Sequence, residues 1–353
     1  MKALVLSGGL GTRLRPLTHS MPKQLVPVGN KPVLVRGLEK IREAGIREVG
    51  MIVGDTGPEI ERVIGDGSRF GLRIHYIPQE APMGLAHCVM IARDFLGQDD
   101  FLMYLGDNVL SDGLGGTLAE FHEHRPAVQL LVKQVTNPSD FGIAELTDTG
   151  EVYRLEEKPR RPRGDLAVMG VYLFTPAVHE AVRSIKPSAR NEWEITDAIR
   201  LMMEQGQPVR ARVYTGFWKD TGQLDELLEC NRMVLRTECP SAVLGSVDAA
   251  STLIGPVLVE PGASVVRSHV VGPTIIGPDA VVCDSEVGPY TALGSGTCLR
   301  NSGIENSIVL EGASLSDVTG VEGSLIGREA QISRATPGRR FILGDHATVQ
   351  VGA

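Results

Sequence analysis

The sequence predicts an α/β protein in two parts: a mainly parallel sheet with crossover helices over residues 1–238, and a β-helix of hexapeptide repeats over residues 239–353. Three observations predict it. Apolar strand-like runs alternate with helix-like segments through the first part. Glycine-rich turns close two of those runs. In the second part an apolar residue returns every six positions.

The elements follow in order. Residues 3–6 form a short apolar run ending in Ser7-Gly8-Gly9. Residues 33–44 place Val33, Leu34, Leu38 and Ile41 at helical spacing and stop at Gly45. Residues 49–53 read as a strand, 58–64 as a helix, 74–77 as a strand, 85–95 as a helix and 101–105 as a strand. Such alternation implies right-handed crossovers and a mainly parallel sheet. Ligands of such sheets bind outside the carboxyl ends of the strands, where the glycine-rich turn and Gly106-Asp107 both fall.

The tail has another period. Leu253, Val259, Val265 and Val271 are six apart, the phase slips, and Ile275, Val281, Val287, Leu293 and Leu299 resume it. Neither an α-helix nor an amphipathic strand has that period. It fits a triangular coil in which each face sends one apolar residue inward, with roughly four to five coils over about 80 residues. After Ser333 the rhythm is lost and residues 336–340 read as a turn, so the last segment is expected to cap the coils or to pack elsewhere.

Composition bounds the function. A net charge of −8 disfavours a general nucleic-acid or anionic-membrane surface. Five scattered cysteines without a CxxC pair indicate neither a disulfide framework nor a zinc site. The first residues lack the layout of a signal peptide, and no apolar run approaches the ~20 residues of a membrane span. A cytoplasmic protein is the expectation.

Residues 6–32 read LSGGLGTRLRPLTHSMPKQLVPVGNKP. Leu14 stands where a dinucleotide fingerprint needs its third glycine, and Thr12-Arg13 follow Gly11 where a P-loop needs lysine. The run still makes sense as a phosphate cradle. Glycines let backbone N–H groups close on phosphate oxygens. Arg13 offers a planar fork of donors and Lys23 a compact mobile charge.

With PQEAPMGLA, YLGDN, EEKP and WKDTG following in order, the chain resembles the sugar-1-phosphate nucleotidylyltransferases over essentially its whole length. Within them it is similar to the long-form glucose-1-phosphate thymidylyltransferases. The resemblance implies a Rossmann-like nucleotidyltransferase domain followed by a left-handed β-helix, with dTTP and glucose 1-phosphate as substrates and Mg2+ as cofactor. It implies nucleotide binding by Gly8, Gly9, Gly11, Thr12, Arg13, Gln79, Gly84 and Asp107. It matches Asp107 and Asp220 to the family's metal carboxylates, and Lys158 to the lysine that grips the sugar phosphate. Glu157 and Gly142 match sugar-binding positions, with Gly170 and Glu192 as weaker candidates. Arg13, Lys23, Asp107, Lys158 and Asp220 would carry the catalysis. On pattern alone Gly106-Asp107 fits a turn equally well, Glu157-Lys158 a surface charge cluster, and Glu192 an exposed helix-start charge.

Ser7 stands where short-form enzymes carry alanine, Leu10 where they carry a small polar residue, and Lys219 follows the long-form pattern. The short forms' regulatory nucleotide site finds no matching residues. Alternatives remain open at this level: UTP or another nucleotide, an amino or N-acetyl sugar, an acetyltransferase site at His269 or His346, or a scaffold with a dead catalytic domain. One methyl group separates thymine from uracil, which discriminates by only ~10–200-fold. The regular coil faces suit a closed homo-oligomer, a trimer above others.

Overall fold

The structure is a computed structural model, and it describes residues 1–334 and 340–350. The chain forms two compact units, Met1–Leu10 with Leu34–Trp218, and Gly11–Val33 with Lys219–Ala353. The division therefore differs from the sequence boundary at residue 238. Residues 11–33 and the helix Leu224–Glu238 cluster with the coils because hydrogen bonds join them: Gly29 N–H donates to Asn231 Oδ1 (2.8 Å), Asn231 Nδ2 to Tyr290 O (3.0 Å) and Asn30 Nδ2 to Leu293 O (2.6 Å).

In the first unit a nine-stranded sheet runs Val152–Glu157, Gly142–Leu146, Leu166–Phe174, Phe101–Leu105, Lys2–Leu6, Glu48–Val53, Arg73–Pro78, with Val128–Gln134 and Val209–Val213 branching from Leu166–Phe174. Lys2–Leu6 pairs in parallel with both Glu48–Val53 and Phe101–Leu105, as the alternating pattern requires. The later strands are mixed. Gly142–Leu146 and Val152–Glu157 pair antiparallel, because the short link between them has no room for a crossover. The helix expected over residues 85–95 is broken at Ala92 into Leu85–Ile91 and Arg93–Leu96. Leu4, Ile52, Phe101, Met103, Leu130 and Phe174 are buried in one apolar cluster, which fixes the strand ends that carry the loops.

In the second unit three parallel sheets of seven, seven and five short strands wind as a triangular β-helix. Inward residues stack in columns: Leu253, Val270, Val287, Ile304 and Val321 on one face; Val259, Ile276, Leu293, Val309, Ile326 and Leu343 on the next; Val265, Val282, Leu299, Leu315, Ile332 and Val349 on the third. The apparent phase slip is part of the period, since one step in each turn is a residue shorter. This corrects three of the expected inward positions. Val270, Ile276 and Val282 are fully buried, whereas Val271 and Val281 are half-buried and face outward, and Ile275 belongs to the outer side of its strand.

The coils are also more numerous than expected. The last segment is a continuation: Ile342–Leu343 and Thr348–Gln350 each add a rung to existing sheets. The expected turn over residues 336–340 lies outside the described residues except for Arg340. On one face the outward residues Ile275, Ala292, Ile308 and Leu325 are buried as well, and this is the face whose corner holds the helix Leu224–Glu238. His269 is exposed on another face, in register with Glu286. All five cysteines are free. Among the described residues no helix is long and apolar enough to cross a membrane.

Candidate active site

The first unit gathers three groups of polar residues beyond its strand ends. Gly8 follows the first strand, and Gln79 follows Arg73–Pro78, its N–H donating to Val53 O (2.8 Å). A Cβ on Gly8 would stand 3.2 Å from Gln79 Oε1, so the glycine lets the backbone lie against the amide. Gly9 is exposed beside it. Gly84 caps the helix Leu85–Ile91 with φ +99°, and a Cβ there would meet Trp193 O at 2.5 Å. No other residue type fits that approach.

The second group surrounds the turn at Gly106-Asp107, between Phe101–Leu105 and Asn108–Leu110. Gly106 N–H donates to Leu6 O, which brings the turn to the first strand (2.9 Å). The Ser7 hydroxyl is fully buried without a hydrogen-bond partner, 2.6 Å from where a Gly106 Cβ would stand. Asn108 fixes the turn from below: its Nδ2 donates to Met169 O (2.7 Å) and its Oδ1 accepts from Trp218 Nε1 (3.2 Å). Gly170 has φ +73° at a bulge in its strand, and its absent Cβ makes room for Leu105 and Asn108. Its place is thus under the Asp107 turn. Asn108 lay within the motif YLGDN, but nothing in the sequence marked it as a buried hub.

The third group centres on Glu157. Gly142 is its register partner across the hairpin, and a Cβ on Gly142 would stand 3.1 Å from Glu157 Oε2. Thr196 Oγ1 donates to the same oxygen (3.1 Å). Arg190 reaches Glu157 (3.4 Å), Glu192 (3.5 Å) and Glu194 (2.8 Å). Burial raises the Glu157 pKa, and the Glu194 charge raises it further; Lys158, the Thr196 hydroxyl and Arg190 pull it back. Lys158 is exposed with φ 41°, and its N–H donates to Phe141 O (3.0 Å). Arg190, Glu194 and Thr196 were missed by sequence reasoning. The signal was present in the run SARNEWEIT, whose charges read equally well as a solvated helix start.

The second unit gathers the remaining residues. Gly11 has φ +63° ahead of the short helical turn Thr12–Leu14, and a Cβ on it would stand 2.8 Å from Lys23 Cβ. Thr18 Oγ1 donates to Gly11 O (2.7 Å) and ties the loop down. Thr12 and Arg13 are exposed. The Arg13 guanidinium lies 2.9 Å from where a Gly222 Cβ would stand, and Asp220 Oδ2 lies 3.5 Å from the same point. Glu226 joins this cluster. Burial raises its pKa, the Asp220 charge raises it further, and Lys219 and Arg13 lower it. Its Oε2 is buried without a hydrogen-bond partner. Glu226 follows the motif WKDTG by four residues, and only the fold makes it a neighbour.

Each unit carries a carboxylate of the kind a hard cation takes, Asp107 in the first and Asp220 in the second, and among the described residues no group of three or more His, Cys, Asp or Glu is placed to hold a metal alone. A site of few carboxylates, completed by substrate phosphates, is what Mg2+ accepts, and a zinc or calcium cage is not.

Known proteins resemble this chain in sequence and in fold. A family model described as nucleotidyl transferase matches residues 2–237. A glucose-1-phosphate thymidylyltransferase of Streptomyces griseus is 58% identical over 270 residues, 76% of each chain. The low-salt glycan biosynthesis nucleotidyltransferase Agl11 of Haloferax volcanii is 49% identical over 236 residues, 67% of this chain and 66% of its own. Among solved structures, a Bacillus anthracis protein provisionally described as a glucose-1-phosphate thymidylyltransferase, in complex with sucrose, superposes with TM-score 0.62 at 32% identity. It covers 66% of this chain and 94% of its own.

Proposed function

The chain belongs to the nucleotidyl transferase family, and from that premise we propose that it transfers thymidylate from dTTP to glucose 1-phosphate, giving dTDP-glucose and pyrophosphate. The observation that carries the reading is the meeting of the Arg13 guanidinium and the Asp220 carboxylate at Gly222, which sets a cation of the glycine-rich loop beside a metal-type ligand. The substrates are taken from similar proteins, two of them named glucose-1-phosphate thymidylyltransferases at 58% and 54% identity.

The reaction is an in-line displacement. A phosphate oxygen of the sugar phosphate attacks the α-phosphorus of the nucleotide. The new P–O bond forms as the bridge to the β-phosphorus breaks, and pyrophosphate leaves with the bonding electrons. Two anions must approach, so positioning and charge neutralisation dominate. Backbone N–H groups of Gly8, Gly9, Gly11 and Thr12, with Arg13 and Lys23, hold the nucleotide phosphates. Lys158 takes the sugar phosphate, and its exposure leaves the ammonium free to reach it. Glu157 accepts from sugar hydroxyls beside the Gly142 backbone, with Glu192 at the rim. Gln79 and Gly84 read the base. Gly170 supports the Asp107 turn. We assign Mg2+ to Asp107 and Asp220; when bound it neutralises phosphate charge that the arginine and lysines leave over.

We take residues 1–238 as the catalytic domain and the coils of 239–353 as an assembly surface, a trimer above other states, in a cytoplasmic protein with free cysteines. Sedimentation of the purified protein tests the assembly. Pyrophosphate release with Mg2+ tests the chemistry, across dTTP, UTP and CTP, each with glucose 1-phosphate, galactose 1-phosphate and N-acetylglucosamine 1-phosphate. Preference for dTTP with glucose 1-phosphate is the expected result. Another preferred pair would keep the mechanism and change the substrates. No release from folded protein would overturn the reading.

A further inference from the structure

Gln79 alone cannot choose between pyrimidines. Its amide carries an acceptor and a donor side by side, and a half-turn exchanges them. In one orientation the pair complements the imide edge of thymine or uracil, a ring N–H beside a carbonyl. In the other it complements cytosine, a ring nitrogen lone pair beside an amino group. Something must hold the amide one way round.

The geometry points to His87 as that residue: its imidazole fixes the Gln79 amide in the orientation that selects an imide base over cytosine. Gln79 Nε2 stands 3.0 Å from His87 Nδ1, and Gln79 is almost fully buried. With Nδ1 as acceptor, one amide hydrogen goes to the ring. Oε1 then stays on the edge that can accept from the ring N–H of a base, and it is the atom turned toward Gly8. Had the ring donated from Nδ1, the amide would have to present oxygen to it and the readout would reverse.

Two neighbours favour the first state. Burial lowers the His87 pKa, which keeps the ring neutral and able to accept. Burial pushes the Cys88 thiol up to about 12 against a hydrogen bond from the Gln79 amide that pulls it back, so it keeps its proton, and it directs that proton to Gly84 O (3.6 Å). It is therefore no donor to Oε1. The Trp193 ring, 6.0 Å from the imidazole, confines the histidine from another side, and the Trp193 backbone is hydrogen-bonded to the start of the same helix. His87 touches neither phosphates nor sugar in this scheme; it is a positioning residue that acts through Gln79. The inference rests on the proposed reading of Gln79 as the base reader.

The test is a double-mutant cycle on nucleotide selectivity. kcat/KM for dTTP and dCTP, each with glucose 1-phosphate, is measured for the native protein, His87→Phe, Gln79→Ala and the double variant. His87→Phe should narrow the dTTP-to-dCTP preference at least about tenfold, through KM more than kcat. In the Gln79→Ala background the same change should leave the preference unmoved. A folded His87→Phe protein with the native preference overturns the inference, as does an equal loss in both backgrounds. Should His87→Phe not fold, imidazole 15N NMR of the native protein decides: an unprotonated Nδ1 supports the scheme and a protonated one overturns it. A native protein that ignores dTTP defeats the substrate reading instead, while the NMR result still judges the histidine.

Discussion

The two units use polar side chains in opposite ways. In the coils they repeat with the rung. Ser285 N–H donates to Ser268 Oγ, and Ser302 N–H to Ser285 Oγ, each pair 17 residues apart and each at 3.1 Å. The Ser307–Ser324 pair and the following Phe341 N–H do the same at another corner. In the first unit no polar contact of the site repeats. Asn108 reaches 61 residues to Met169, Thr196 reaches 39 to Glu157, and Trp218 reaches 110 to Asn108. A repeated contact holds neighbouring turns together and can be lost at one rung. An unrepeated one holds a particular side chain where chemistry needs it. The contrast teaches where damage should show: in stability for the coils, in turnover for the sheet.

The largest expected effect tests the sheet side. Asp107→Asn should cut kcat by ~100- to 1,000-fold, as removal of one electrostatic group at a reacting phosphate does. The melting temperature should hardly move, since the residue is in a turn. Pyrophosphate release and calorimetry check both halves, and near-native turnover would remove Asp107 from the metal site.

Leu299→Ala tests the coil side. Leu299 is fully buried in its column, and the cavity should cost ~2–5 kcal/mol in denaturant unfolding. kcat in the surviving folded protein should stay near native. A collapse of turnover without a loss of stability would break the comparison.

Lys158→Ala should raise KM for glucose 1-phosphate ~10- to 100-fold, about one charge-assisted contact to phosphate, and leave KM for dTTP nearly unchanged. The reverse pattern would put Lys158 on the nucleotide.

The smallest effect concerns pH. His179 is buried, and burial together with Arg93 and Arg183 pushes its pKa down to about 4. The native state therefore keeps it neutral while the unfolded chain takes a proton near the ordinary value of 6.5. Stability should fall as pH drops from about 6.5 toward 4. His179→Phe should flatten that part of the curve of melting temperature against pH, and an unchanged slope would show that other groups set it.

Much of this was legible in the chain. The six-residue rhythm revealed the coils because a β-helix asks the same thing of every face. It misplaced Val270, Ile276 and Val282 by one residue because the shorter step of each turn shows only once strands pair in register. The end of the coils was illegible for a related reason: the rungs at Ile342–Leu343 and Thr348–Gln350 follow an interruption that breaks the rhythm without ending the stack. Outside the coils the glycines were readable. Gly11 and Gly84 hold positive φ and close approaches that other residues resist.

The sequence by itself determined the fold class, the turn chemistry and the inventory of charges around the phosphate loop. These depend on period and on local backbone sterics, which neighbouring residues express directly. Only the tertiary structure decided which side chains meet: Arg190 with three glutamates, Asn108 beneath the Asp107 turn, Glu226 beside Asp220, His87 against Gln79. Such pairs depend on strand register and helix placement, and any of these residue types would read as an ordinary solvent-facing side chain until the fold had closed around it.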